Sequence, residues 1–189
     1  MVELTVAPKA DDVLVAVLLN PPHGSSGART RNAVRRATAA LGYGEVLIVN
    51  LCAAATPSVI QINSLGPDVW HSARTNLLSA LAAADAVLAG WGISGLGADS
   101  RRYLDRQIAW FTARAEERGI DSFWTVGGEP RHPSRWHQYV SDKYGRTTGG
   151  MFDERIASVL QPVTIKQLGR SRLQARGRGP VAIGRGESS

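Results

Sequence analysis

The chain has 189 residues, 43% of them hydrophobic and 20% charged, which suits one globular core and leaves too little for two. A single cysteine, Cys52, excludes a disulfide framework and any cysteine-based metal site, and no stretch approaches the ~18 consecutive apolar residues of a membrane span. The net charge of +6 is concentrated behind residue 162, where Lys166, Arg170, Arg172, Arg176, Arg178 and Arg185 face only Glu187.

The first dozen residues carry no cleavable signal pattern, so a cytoplasmic protein is expected. Residues 13–19 are uninterrupted Val, Leu and Ala, the pattern of a strand buried on both faces of a parallel sheet. Asn20-Pro21-Pro22-His23-Gly24 stops it, because proline has no N–H for the ladder. Residues 28–41 place Ala33, Val34, Ala37 and Leu41 on one face and arginines elsewhere, which predicts an amphipathic helix ended by Gly42. A second buried strand over 45–51 also finishes at an Asn, Asn50. A small-residue loop follows, and then a long helix from about residue 68. Residues 85–90 read as a third strand that exits through Trp91-Gly92, 99–118 as another helix, and 123–126 as a fourth strand. That strand runs into Gly127-Gly128-Glu129-Pro130-Arg131-His132-Pro133-Ser134-Arg135-Trp136. Residues 151–160 are expected to form a last short helix.

Strands alternating with helices predict βαβ units. The expected architecture is a three-layer α/β/α sandwich around a four-stranded parallel sheet, in one domain over 1–162. Residues 163–189, rich in Arg and Gly, read as a flexible basic tail suited either to phosphate contacts or simply to solubility.

Several chemistries find little support. Gly90-Trp91-Gly92-Ile93-Ser94-Gly95 spells G-x-G-x-x-G but lacks an acid at the end of the next strand. His23, His71, His132 and His137 share no metal-ligand spacing, and Ser94 lacks a nucleophile-elbow frame. What stands out is a set of strand exits. Asn20, Asn50, Trp91 and His132 each lie at or just past the carboxyl end of a strand, the edge where open α/β sheets bind ligands. Amides read nucleobase edges and an imidazole stabilises charge on a leaving group; equally, Asn caps turns, and Trp91 and Trp136 suit a core.

The succession strand-Leu-Asn-Pro, Gly-Tyr-Gly before strand-Val-Asn-Leu, Trp-Gly, and Pro-Arg-His-Pro resembles an uncharacterised bacterial and phage domain family over about 13–136. More distantly it resembles the uracil-DNA glycosylase superfamily. That resemblance implies that Asn20, in the water-positioning motif, and His132 are catalytic, and that Asn50, with His23 and Trp91 nearby, binds the base. It further implies that His132-Pro133-Ser134 is followed by a duplex wedge, Arg135 or Trp136. The water-activating Asp of that superfamily is absent, and Pro22 replaces the expected aromatic or small residue. The expectation is therefore a nucleobase N-glycosidic bond hydrolase acting on a flipped, modified or mispaired base in DNA, without metal or organic cofactor. Ser134, Arg135, Trp136, Arg170, Arg172, Arg176 and Arg178 would contact the nucleic acid. The rivals are a non-catalytic binder of DNA or RNA on the same fold, and a hydrolase of free nucleosides or nucleotides.

Overall fold

The apolar run that opens at Val13 forms β1 (Val13–Leu18), whose residues after the first are all buried. A computed structural model, which describes residues 11–23, 27–92, 94–141 and 149–168, places β1 between two parallel neighbours. These are β2 (Glu45–Asn50) and β3 (Ala86–Gly90), with Leu18 level with Asn50 on one side and Gly90 on the other. β3 in turn pairs in parallel with β4 (Ser122–Val126). A fifth strand, β5 (Leu160–Thr164), adds antiparallel to β4, so the sheet order is β2-β1-β3-β4-β5.

The protein is thus mixed α/β, with a five-stranded, mostly parallel sheet flanked by helices. The four-stranded expectation needs correcting at β5. Pro162 in the middle of that segment reads as a stop, yet a strand at the sheet edge is paired on one side only and tolerates a proline. Val163 within β5 and Ile165 just past it pack on the core, and Leu168 lies inside it. The packed body therefore runs past the 162/163 boundary to at least Leu168. β2, expected to be buried, is the opposite edge and only half-buried.

Side chains alternate across the pleat and divide the interior into two clusters. Leu14 and Ala16 of β1 pack with α1 (Ala28–Leu41), whose bounds match the predicted helix. Val15 and Val17 pack on the other face, against α4 (Arg74–Ala82) and α5 (Ala98–Glu116). The loop after β2 holds one short helix, α2 (Val59–Ile62). The long helix expected from residue 68 is broken into α3 (Asp68–His71) and α4. Two carbonyls at the break accept from outside the helix: Val69 O from Ala53 N–H at 2.8 Å, and Trp70 O from Gln107 Nε2 at 2.7 Å. Beyond β4 come a 3-10 turn (Pro133–Arg135), α6 (Trp136–Tyr139) and α7 (Phe152–Ala157). Among the described residues, no helix is long and apolar enough to cross a membrane.

Leu168, 4% exposed, belongs to the core rather than to a tail. Leu168→Ala in the full chain should cost about 2–5 kcal/mol, read as a lowered urea midpoint at unchanged slope. An unshifted midpoint would return this segment to the tail.

Candidate functional site

His132 reaches the rim of the sheet by way of two glycines and a close backbone approach. β4 ends in a tight turn with φ of 62° at Gly127 and 75° at Gly128, left-handed values that glycine adopts without strain. Val126 and Glu129 bridge across the turn, and Arg131 then pairs in parallel with Gly92 beyond β3. A Cβ on Gly92 would run into the carbonyl oxygen of Pro130, so only glycine lets the two segments lie this close. His132 N–H donates to Gly92 O at 3.2 Å, which fixes the histidine level with the exit of β3.

The imidazole is then held in one tautomer. Ser134 N–H donates to His132 Nδ1 at 3.3 Å, and the Ser134 hydroxyl lies 2.8 Å from the same nitrogen. A backbone N–H can only donate, so Nδ1 accepts and the ring proton sits on Nε2. Burial, with the Arg135 guanidinium as a second cause, pushes the His132 pKa below the ordinary imidazole range. The group is therefore a neutral N–H donor at neutral pH.

Asn20 and Asn50 lie on the same rim. The Asn20 amide nitrogen donates to Pro21 O at 3.0 Å and to the hydroxyl and carbonyl of Thr56 at 3.2 and 3.4 Å. With its N–H groups committed, Asn20 offers a ligand only the acceptor Oδ1. Asn50 shares the pleat parity of Val46 and Ile48 and so faces the α1 side, and its Oδ1 is buried without a hydrogen-bond partner. An unpaired buried carbonyl costs about 1–3 kcal/mol, and such a group calls for a ligand or water to satisfy it. Across the sheet, Asn50 on β2, Asn20 past β1 and His132 beyond Gly92 span three strand spacings, roughly 15 Å.

The remaining expected site residues separate. Trp91 is 2% exposed and packs edge-on against Phe123 with ring centroids 6.1 Å apart, so a base-binding role is corrected to a core role. Trp136 is fully buried with its indole N–H on Arg131 O at 2.7 Å, which removes it as a wedge. Ser134 spends its hydroxyl on His132 and so positions the imidazole instead of gripping a phosphate. Arg135 is exposed and ties the 3-10 turn to Ser94 Oγ at 3.3 Å. His23 is exposed beyond Pro22, and Pro22 lies against Gly27 at the start of α1. Arg170, Arg172, Arg176 and Arg178, and residues 24–26, lie outside the described residues. Cys52 is fully buried, which raises its thiol pKa and keeps it unreactive.

Asn63 is a residue the sequence did not mark. It clasps the glycine-rich loop after β3, donating to Gly95 O at 3.2 Å and accepting from Gly97 N–H at 2.8 Å, which uses a donor that a phosphate cradle would need. Only its place in a loop rich in turn formers pointed to it. Among the described residues, no group of three His, Cys, Asp or Glu gathers where it could hold a metal ion.

Residues 4–134, well over half of the chain, match the model of DUF1643, a family described as proteins of unknown function. No curated protein and no solved structure matches the chain.

His132 and His137 both have folded pKa values below the ordinary value, His137 through burial and then Arg36, Arg155 and Arg29. As pH falls below about 6.5 the unfolded chain takes up protons that the folded chain refuses, so stability must drop until the folded values are passed. The thermal midpoint should fall on acidification through this window, less so in His132→Gln, and least in the double variant with His137→Gln. Identical profiles for all three proteins would remove the neutral, buried histidine.

Proposed function

We propose that this chain, which belongs to DUF1643, is a nucleobase N-glycosidic bond hydrolase on a uracil-DNA glycosylase-like fold, acting on a flipped, modified or mispaired base in DNA. One observation carries the reading: a neutral imidazole, locked with its proton on Nε2, shares a sheet rim with a buried amide acceptor that has no partner. In the reaction the C1′–N bond breaks and its electron pair leaves with the base. The Nε2–H of His132 donates to that departing anion, and water adds at C1′ while its second proton passes to solvent. A preorganised donor of this kind is typically worth about 3 kcal/mol of barrier. Asn50 Oδ1 takes an N–H from the edge of the extruded base, and Asn20 Oδ1 holds the water.

The missing aspartate shapes the mechanism. Amides are poor bases, so little help is available for deprotonating the water early, and bond cleavage must run ahead of attack. Catalysis then leans on stabilising the leaving group, which is the task of His132. Arg135, exposed beside the rim, meets a backbone phosphate, with Arg170, Arg172, Arg176 and Arg178 as further contacts. No step uses a metal or organic cofactor. The free thiol of Cys52 suits the reducing cytoplasm.

The same missing carboxylate favours a second reading, a non-catalytic DNA or RNA binder that keeps the rim for base recognition. A panel of oligonucleotides carrying modified or mispaired bases, with free nucleotides as a separate arm, distinguishes the readings by detection of released base. His132→Ala should lower release about 10²- to 10³-fold with DNA affinity within about twofold, and Asn50→Ala should lower it comparably for the favoured base. Release unchanged in both variants would end the catalytic assignment. Wild-type binding without release, weakened at low salt by Gln at the four tail arginines, would establish the binder instead. Release confined to the free-nucleotide arm would make the substrate a small molecule.

A further inference from the structure

A second site lies in the helical layer on the sheet face opposite α1. A small cavity of about 40 Å³ opens where α3, α4 and α5 meet, lined by Trp70, His71, Arg74, Tyr103, Arg106 and Gln107. Its hydrogen-bonding groups lean toward donors, with the His71 ring and the Tyr103 hydroxyl able to serve either way. The indole N–H of Trp70, a residue 2% exposed, is buried without a partner, and an indole nitrogen can only donate. Arg74 and Arg106 bring two guanidinium groups, also donors only, and neither is in a salt bridge among the described residues. No carboxylate lines the cavity.

The site is built rather than incidental. Gln107, 1% exposed, spends both ends of its amide on it: Oε1 accepts from Arg74 Nε at 3.1 Å, and Nε2 donates to Trp70 O at 2.7 Å. The guanidinium of Arg74 also lies over the Trp110 ring, 4.6 Å from its centroid. Arg74 is therefore held in one orientation from two sides, with its terminal nitrogens as the remaining donors, which lowers the side-chain entropy lost when a ligand arrives. A cavity of this size exceeds the room that one water needs.

The geometry points to a binding site for a compact oxyanion group, a phosphate or a carboxylate, held by the guanidinium groups of Arg74 and Arg106 against the wall that Trp70 forms. The site does not depend on chemistry at the rim, and its test uses no activity. The Trp70 N–H is the reporter. The full chain has five tryptophans, and the indole signal missing from the ¹H–¹⁵N spectrum of Trp70→Phe identifies that of Trp70. Inorganic phosphate, sodium acetate and a nucleoside monophosphate are titrated separately at constant ionic strength. The Trp70 signal should shift saturably with at least one of them, while the Trp136 indole, bonded to Arg131 O, stays in place. Saturation by phosphate and the nucleotide alone assigns a phosphate; saturation by acetate alone assigns a carboxylate. Arg106→Gln, an exposed change that leaves the buried network intact, should weaken binding about tenfold. A Trp70 signal that no anion moves would mean that the cavity holds water only, and binding unaffected by Arg106→Gln would move the anion elsewhere; either overturns the proposal.

Discussion

Where Gly92 and the Pro130–Arg131 segment meet, two stretches of backbone lie too close for any side chain between them. That contact decides where the fourth strand goes after it leaves the sheet. With it, His132 is tied to the exit of β3 by Gly92 O, Ser134 is placed to feed Nδ1, and Arg135 can cross to Ser94. The glycine thus acts on the chemistry of the site without touching a ligand. Its demand is steric, and the imidazole tautomer is a remote result of it.

The two faces of the sheet have divided the polar work. At the rim stand a neutral imidazole and the amides of Asn20 and Asn50, and of these Asn50 faces the α1 side. On the other side, α3, α4 and α5 enclose fixed donors and positive charge, an arrangement for a group that arrives already anionic. The break between α3 and α4 serves that second arrangement. The carbonyl of Trp70, released from the helical ladder, becomes the anchor for Gln107, which in turn orients Arg74.

Much of the fold could be read from the chain because its signals are local. The helix over 28–41 carries its apolar residues at one spacing and stops at Gly42, and the apolar runs at 13, 45 and 86 can only be strands with helices between them. β5 was hidden because its proline is harmful in a central strand and harmless at an edge, and edge position is set by the whole sheet rather than by 160–164. The rim was half legible. Strand exits announce themselves through Asn-Pro and His-Pro, so Asn20, Asn50 and His132 could be named, but the direction of a side chain depends on pleat parity and packing. Trp91 and Trp136 follow β3 and β4 as closely as the others do and turn inward. The cavity was illegible, since its donors come from three helices and only their packing brings Trp70 to Gln107.

Pro162 leaves β5 with one missing donor. It sits opposite Trp124 and is compatible with that pairing only if the vacant position faces outward, away from β4. A strand from another molecule laid along that side would find a gap in the middle of its ladder. A proline at this place makes the edge of β5 a poor template for a further strand.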